Sequence, residues 1–442
     1  MMNLDYAKQD SFKLQLLKAA KSGTNIYDNT LHKLNNCPHA RKLVNQYSIK
    51  DIFSRYWDDF CQLHNNQVIR PSIMINVERM IACHDLSHGY VFYECPNCDN
   101  FHISGLSCHP RFCPSCGKIY RDRRASQIAK KCLNVPHRQF VFSIASELRF
   151  YFRKYRTLYD ELFKAVDDVF QYLIQGKSNV AKSIDRELGY IMFLHTFGRD
   201  LKHNPHIHVL IAERVIDNDL NIKRFEYFNF ESLRLAFMNQ LLKRMYISLK
   251  SLASNKDLIA FSILRNQLFK TYKKGFYVHG PKLKSNSRVD VKNITQYIAR
   301  YAGHPPIAES RITNVDYDLH TITYYYDPHE DDTNEGVDQK LGRQFVTESV
   351  FTFIQKLIIH IPDIGFHTVR YYGFYANKSK KSLPSSLLLY SLTDLKKLKL
   401  HHSWRVSLFL TYKYDPLLCE CGSIMKVNFD LSYFPNLNFG GG

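Results

Sequence analysis

Six of the eleven cysteines lie between positions 83 and 116, and this cluster constrains the fold more than any other feature of the 442-residue chain. It contains two matched pairs, Cys95-x2-Cys98 and Cys113-x2-Cys116, separated by fourteen residues. Four thiolates are the complete ligand set of a tetrahedral structural zinc, and paired cysteines near this spacing are typical of zinc ribbons. The sequence therefore predicts that Cys95, Cys98, Cys113 and Cys116 bind one zinc ion.

The same segment leaves a second metal site open. The residues that can hold another ion, support the first site or stay free are Cys83, His102, Cys108 and His109. Eleven cysteines would not form a disulfide framework in a reducing compartment, where clustered thiols are more often metal ligands.

The chain is strongly basic, with 60 Lys and Arg against 41 Asp and Glu, a net charge of +19 and a pI near 9.3. Such a balance favours a polyanionic partner, either nucleic acid or an anionic membrane. No run of 18 apolar residues occurs and the N-terminus lacks the pattern of a signal peptide, so we expect a cytoplasmic protein without a membrane partner. Basic residues around the cysteines fit phosphate contacts, or alternatively an ordinary solvated face: Arg111, Lys118, Arg121, Arg123 and Arg124.

A histidine pair occurs in HNPHIHVLI, residues 203–211, which reads as a β-strand. Because side chains alternate along a strand, His206, His208 and Leu210 share one face while Ile207 and Val209 take the other. Two neutral imidazoles on one face can chelate a divalent cation. Spacing alone does not decide between a metal site and buried packing.

Strands and helices interleave along the chain without a regular βαβ period, which predicts an α+β fold with an antiparallel sheet. GYIMFLHTFG (189–198) and HIHVLIAERV (206–215) are expected to pair as a hairpin. VDVKNITQYIARYAG (289–303) has helical periodicity, and it places Tyr297 and Tyr301 one above the other on one face. These tyrosines are either an aromatic stripe that packs on the sheet or nucleophiles, which would require an electrophile activated elsewhere.

Taken together, HIH at 206–208 with Tyr297 and Tyr301 resembles the HUH superfamily of single-strand endonucleases. More narrowly, the cysteine segment, LHTFGRDLKHNPHIHVLI, QYIARYAGHPPIAESRI and FIQKLIIHIPDIGFHTVRYYGFYA follow in the order of the two-tyrosine rolling-circle transposases of the insertion-sequence ninety-one type. The resemblance runs from about residue 50 to 426. Two positions depart from the pattern of these proteins. Phe112 stands where they commonly have a histidine. Cys419 and Cys421 form a CxC instead of a CxxC, so we do not assign a zinc ion to that pair.

The resemblance implies an antiparallel HUH (ferredoxin-like) sheet with helical insertions, preceded by a helical segment and a zinc-ribbon-like domain. The expected regions are a helical N-terminal part (1–75), a zinc-binding DNA-binding domain (76–135), the catalytic domain (136–376) and a basic C-terminal tail with the CxC pair (377–442). It also implies a bacterial, nucleoid-associated protein that acts on single-stranded DNA at element ends and target. No Walker motif occurs, so host helicase or replication proteins would open the duplex.

The implied chemistry uses a catalytic Mg²⁺ or Mn²⁺ on His206, His208 and His195. Tyr297 then attacks the scissile phosphate and leaves a 5′-phosphotyrosine, and Tyr301 serves a second cleavage, although the order of the two tyrosines stays open. Arg300 would neutralise the phosphate. The alternatives are a plasmid rolling-circle replication initiator or relaxase, and a non-catalytic zinc-ribbon DNA-binding regulator. The sequence predicts no oligomeric state.

Overall fold

The structure is a computed structural model that describes residues 47–434 with several gaps. The gaps are 65–68, 110, 176–186, 218–220, 226–227, 281–290, 304, 329–332, 335–336, 341, 377–387, 390–403, 407 and 409–414. The amphipathic segment SFKLQLLKAAKSG (11–23) and the basic NKSKKS (377–382) lie outside the described residues.

The α-helices of the described part of the chain are α1 (Ile49–Leu63), α2 (Pro71–Ile81), α3 (Pro114–Ala129), α4 (Arg149–Lys154), α5 (Leu158–Gln175), α6 (Phe230–Leu252), α7 (Asn255–Thr271), α8 (Val291–Ala302) and α9 (Val350–Ile358). The strands are β1 (Tyr90–Glu94), β2 (Phe101–Gly105), β3 (His137–Ser143), β4 (Glu187–Phe197), β5 (His203–Ile216), β6 (Ile222–Arg224), β7 (Val278–His279), β8 (Ile312–Asp316), β9 (Thr321–Tyr326), β10 (Thr333–Asn334), β11 (Val337–Lys340), β12 (Gln344–Ser349), β13 (Val369–Tyr372) and β14 (Lys426–Tyr433). These elements confirm the α+β class.

The chain divides into two compact units, each composed of segments that are separated in sequence. The first, here the ribbon unit, comprises residues 1–123, 307–365 and 399–442. The second, here the sheet unit, comprises residues 124–306 and 366–398. In the ribbon unit, strand pairing joins remote segments, since β14 pairs with β1.

The sheet unit is built on an antiparallel sheet in the order β13-β4-β5-β3-β7, with β6 added to the end of β5. The predicted hairpin of β4 and β5 is confirmed. On one face, Ile207 and Val209 pack with α5 and α6 in a large aromatic core. On the other face, Leu210 and Ala212 pack with residues of α3 and α8. The alternation predicted for HNPHIHVLI is therefore present.

Helix α8 covers the second face because its apolar residues recur at helical spacing. Ile294, Tyr297, Ile298 and Ala302 are buried against the sheet, and Tyr301 is half-buried beside them. The helix ends before Gly303, as predicted from the sequence. Its tyrosine face is thus held over the strand that carries the two histidines.

The ribbon unit holds a sheet in the order β14-β1-β2, in which Phe92 and Leu431 form a small core. A second sheet, β12-β9-β8, lies in the same unit. Ser349 ends β12 and caps α9 by accepting a hydrogen bond from the Thr352 amide, so the helix begins at Val350. Strand β14 had no counterpart among the expected elements.

Among the described residues, no helix combines the length and the apolar character that crossing a membrane requires.

Candidate functional site

Three histidines converge on the second face of the sheet, at the end of the hairpin. His195 of β4 lies directly opposite His206 of β5, and Phe193 lies opposite His208. One nitrogen of each of the three imidazoles falls within 4.8 Å of the others. Antiparallel pairing places opposite side chains within about 5.5 Å, which is why the hairpin brings them together. The structure thus groups the three predicted histidines, whose role as ligands stays a prediction.

Hydrogen bonds fix which imidazole nitrogens face inward. His206 Nδ1 donates to the Asn204 carbonyl at 2.7 Å, so its Nε2 carries the lone pair. That Nε2 lies 3.0 Å from Nε2 of His208. His195 donates from Nε2 to the Tyr301 backbone carbonyl at 2.9 Å, which leaves its Nδ1 as the acceptor. The two carbonyls therefore leave His206 Nε2 and His195 Nδ1 as the nitrogens that carry lone pairs.

Burial keeps two of these rings neutral. Loss of solvation lowers the pKa of His206, and the positive charge of Arg149 lowers it further against the opposing effect of the Asn204 carbonyl. Loss of solvation, followed by repulsion from His206 and His195, places the pKa of His208 well below its ordinary value. A neutral imidazole is the form that binds metal ions, so these rings do not have to lose a proton first.

The donor set fits a divalent cation. Two ligands about 2.1 Å from an octahedral ion lie about 3.0 Å from each other, and the two Nε2 atoms are 3.0 Å apart. His208 Nδ1 is buried and has no hydrogen-bond partner among the described residues. His195, His206 and His208 are the residues that would hold the ion.

The two tyrosines of α8 occupy different places beside this group. The Tyr301 ring stacks on His208 with centroids 3.9 Å apart and lies 5.5 Å from the His195 ring. The Tyr297 ring is 4.5 Å from Tyr301, and its hydroxyl donates to the Val209 carbonyl at 3.4 Å. Burial raises the pKa of Tyr297 well above its ordinary value. Tyr301 is thus the tyrosine in contact with the histidines.

Two arginines lie near the site. Arg300, predicted to contact phosphate, is exposed on α8. Arg149, which sequence reasoning missed, begins α4 and lies close enough to His206 to lower its pKa. Its Nε is buried without a hydrogen-bond partner among the described residues. An arginine in an ordinary amphipathic helix carries no sequence signal that would have identified it.

The four cysteines predicted to share one zinc are divided between two clusters in the ribbon unit. Cys113 and Cys116 lie with Cys83 and Cys108, whereas Cys95 and Cys98 lie elsewhere. This corrects the predicted grouping. The two knuckles occupy opposite ends of the β1–β2 hairpin, whose five-residue strands extend over about 16 Å, so one ion cannot reach both.

The first cluster has the dimensions of a zinc site. Sγ of Cys116 lies 3.6 Å from that of Cys83 and 3.7 Å from that of Cys108. Hydrogen bonds from Cys108, Cys113 and Cys83 hold the pKa of Cys116 far below its ordinary value, so its thiolate is favoured. Of the second-ion candidates, Cys83 and Cys108 join this cluster. His102 and His109 do not belong to any metal-ligand group among the described residues.

The second cluster contains Cys95 and Cys98 together with Cys419 and Cys421, the pair for which no zinc was predicted. Phe112, at the position where a histidine was expected, instead packs edge-on against Phe53 with ring centroids 5.6 Å apart.

The basic residues predicted to bind DNA are half-buried: Arg111, Lys118, Arg121, Arg123 and Arg124. Arg121 forms an ion pair with the adjacent Asp122 at 3.2 Å. Their role in DNA binding stays a prediction.

Two family models match this chain. Residues 189–382, which contain the histidines and both tyrosines, match the family described as "Putative transposase". Residues 52–144, which contain all cysteines of the first cluster, match the family described as "Transposase zinc-binding domain".

Two curated relatives support this assignment. The chain is 27% identical over 308 residues to the transposase for insertion sequence element IS801 of Pseudomonas savastanoi pv. phaseolicola, covering 68% of this chain and 70% of that protein. It is 24% identical over 356 residues to the "Putative transposase y4qJ" of Sinorhizobium fredii, covering 75% of this chain and 81% of that protein. No solved structure matches the chain significantly.

Proposed function

Because the chain belongs to the transposases of the insertion-sequence ninety-one type and carries their N-terminal zinc-binding domain, we propose that it cleaves single-stranded DNA with the help of a divalent metal ion. The cut strand is then transferred through a 5′-phosphotyrosine intermediate, as in rolling-circle transposition. The observation that carries this proposal is the stack of Tyr301 on His208 within a group of three convergent imidazoles.

His195, His206 and His208 would hold Mg²⁺ or Mn²⁺, and imidazole nitrogens favour Mn²⁺ over Mg²⁺. The ion, when bound, supplies the positive charge that polarises the scissile phosphate. Burial keeps the rings of His206 and His208 neutral. The backbone carbonyls of Asn204 and Tyr301 orient the rings of His206 and His195.

Tyr301 attacks first in the arrangement described. Its hydroxyl oxygen forms a bond to phosphorus, the bond from phosphorus to the 3′ oxygen breaks, and the hydroxyl proton leaves to solvent as the 3′ oxygen gains one. The products are a tyrosine ester of the 5′ phosphate and a free 3′-hydroxyl. The ester retains the bond energy, so the reverse attack by another 3′-hydroxyl joins strands without nucleotide hydrolysis.

Tyr297 serves the second cleavage. Its hydroxyl is buried against Val209, so it reaches a phosphate only after α8 or its own side chain moves. The resemblance left the order of the two tyrosines open, and the burial of Tyr297 supports the order proposed here.

The substrate is single-stranded because a flexible backbone can bring one phosphate into a site covered by a helix. Arg149, whose charge lowers the pKa of His206, has a buried Nε donor available for that phosphate. Exposed Arg300 contacts the backbone outside the covered site. Host helicase or replication proteins supply the single strand.

The test uses purified protein, Mn²⁺ and single-stranded DNA from the flanks of its own gene. DNA labelled at the 3′ end should appear as a denaturation-resistant band with the protein, since the 3′ fragment retains the 5′ phosphate. DNA labelled at the 5′ end should yield a shorter free product that a polymerase extends. A regulator without catalysis would bind the DNA and give neither product.

Substitution separates the two tyrosines. Tyr301→Phe should abolish the covalent band, whereas Tyr297→Phe should retain it and lose strand transfer. Tyr172→Phe, on an exposed position of α5, is the matched control and should behave as the wild type. A covalent band that survives the double change of Tyr297 and Tyr301 would refute the proposed chemistry.

A further inference from the structure

The second cysteine cluster of the ribbon unit brings together two segments that are far apart in the sequence. Cys95 and Cys98 belong to the turn after β1, and Cys419 and Cys421 come from a segment 321 to 326 residues further on. Sγ of Cys95 lies 3.4 Å from that of Cys421, and Sγ of Cys98 lies 3.4 Å from that of Cys419. All four sulfurs fall within 4.8 Å of one another.

Backbone pairing produces this convergence. Strand β14 runs antiparallel to β1, with Lys426 opposite Glu94 and Val427 opposite Tyr93. The residues just before β14 are thereby placed beside Cys95, which comes just after β1. A bridge between Leu418 and Ile424 closes a tight turn that presents the CxC pair to the knuckle.

This turn compensates for the short spacing of the pair. Gly422 has a φ of +86°, and its amide donates to the Cys419 carbonyl at 2.9 Å. The left-handed conformation that glycine permits reverses the chain immediately after Cys421. As a result, Cys419 and Cys421 present their sulfurs to one point although only one residue separates them.

The distances match a tetrahedral metal site. Sulfurs bound about 2.3 Å from one zinc ion lie about 3.8 Å apart. The four sulfurs here are compatible with that value, since two pairs are 3.4 Å apart and none is more than 4.8 Å from another. They are too far apart for disulfides, whose sulfurs are about 2.05 Å apart. Amide donors also point at the sulfurs, with Asn97 N 3.4 Å from Cys95 Sγ and Asn100 Nδ2 3.7 Å from Cys419 Sγ. Such donors stabilise thiolate charge.

We propose that Cys95, Cys98, Cys419 and Cys421 form a second structural zinc site, which fastens the C-terminal turn and β14 to the hairpin of β1 and β2. The chain then binds one zinc ion in each cysteine cluster. The matched zinc-binding family model, residues 52–144, contains only half of the ligands of this second site. The metal-binding part of the protein is therefore discontinuous in sequence.

The first test is the metal content of the purified full chain, measured by mass spectrometry against protein concentration. Two zinc ions per chain are expected, one for each cluster. The Cys419→Ser/Cys421→Ser variant should retain one, and Cys61→Ser, outside both clusters, should retain two. A wild-type chain with a single zinc, or with iron and labile sulfide in the second cluster, would overturn the proposal.

A second test requires no variant and remains informative if the double variant fails to fold. Cys421 is exposed, so an alkylating reagent should modify it readily unless a metal holds its sulfur. In the native wild-type protein, a zinc chelator should raise its rate of alkylation by about tenfold or more, followed by peptide mass spectrometry. Half-exposed Cys61 is the internal control, and its rate should not change. Rapid alkylation of Cys421 that is insensitive to the chelator would contradict zinc binding.

Discussion

Acidification should destabilise the sheet unit through His137, a residue of β3 outside the candidate site. The ring is 4% exposed and fully hydrogen-bonded in its neutral form. Its Nδ1 donates to the Val135 carbonyl at 2.7 Å, and its Nε2 accepts from the Tyr375 hydroxyl at 2.8 Å. Tyr375 in turn accepts from the Leu133 amide at 3.1 Å. Protonation of Nε2 would remove the acceptor of the Tyr375 hydroxyl and place a positive charge on a buried ring.

Burial lowers the pKa of His137 to about 4, from 6.5. Above pH 6.5 neither state holds the proton, so His137 has no effect there on the pH dependence of stability. As the pH falls from 6.5 to 4, only the unfolded chain binds the proton, and the free energy of unfolding decreases. The loss is about 2 kcal/mol at pH 5 and approaches about 3 kcal/mol below pH 4, since each pKa unit corresponds to about 1.36 kcal/mol.

The assay is urea denaturation followed by far-UV circular dichroism at pH 7.5 and pH 5.0. Tryptophan fluorescence is unsuitable because both tryptophans, Trp57 and Trp404, belong to the ribbon unit. The wild type should lose about 2 kcal/mol more on acidification than His137→Gln, in which this titration is absent. His367→Gln, at an exposed position of the same unit, is the control. Equal losses in the wild type and in His137→Gln would refute the reasoning.

Three further predictions follow from the geometry. Gly373→Ala should destabilise the sheet unit by more than about 2 kcal/mol, because φ is +55° and an added Cβ would collide with the Leu188 backbone carbonyl. Gly365→Ala, where φ is also positive but the surrounding space is open, should cost about 1 kcal/mol, and thermal unfolding measures both changes. Arg149→Gln should slow DNA cleavage by about tenfold or more if its guanidinium contacts the phosphate, and Arg153→Gln in the same helix should not. His206→Ala should weaken Mn²⁺ binding by more than about tenfold in calorimetry; unchanged affinity would exclude it as a ligand.

Sequence patterns located the elements whose signals are local. The alternation around His206 and His208 predicted their shared face, and the helical spacing of Tyr297 and Tyr301 predicted their place on α8, because period and burial coincide there. The contact of His195 with the tyrosine helix could not be derived in the same way. That contact depends on a backbone carbonyl of Tyr301, which has no sequence signature.

The cysteine grouping was missed for a different reason. Spacing records how far apart ligands are along the chain, whereas the hairpin of β1 and β2 decides which ligands meet in space. Cys95 and Cys113 are closer in sequence than Cys95 and Cys421, yet only the latter pair belongs to one cluster. Likewise, KVNFDLSY forms a strand because β1 has a free edge with which it can pair. This pairing joins residues more than 330 positions apart, such as Tyr90 and Tyr433.

The pairing of β14 with β1 also bears on how the protein is made. The sheet unit can assemble from residues 124–306 and 366–398 while a ribosome is still working, but the ribbon sheet lacks its third strand until residues 426–433 emerge. Closing so long a loop is slow, and the pairing of β14 with β1 is the last step of assembly in the ribbon sheet. A late frameshift that removes residues 426–433 would therefore disrupt the ribbon sheet around β1, in the part of the chain that is translated first.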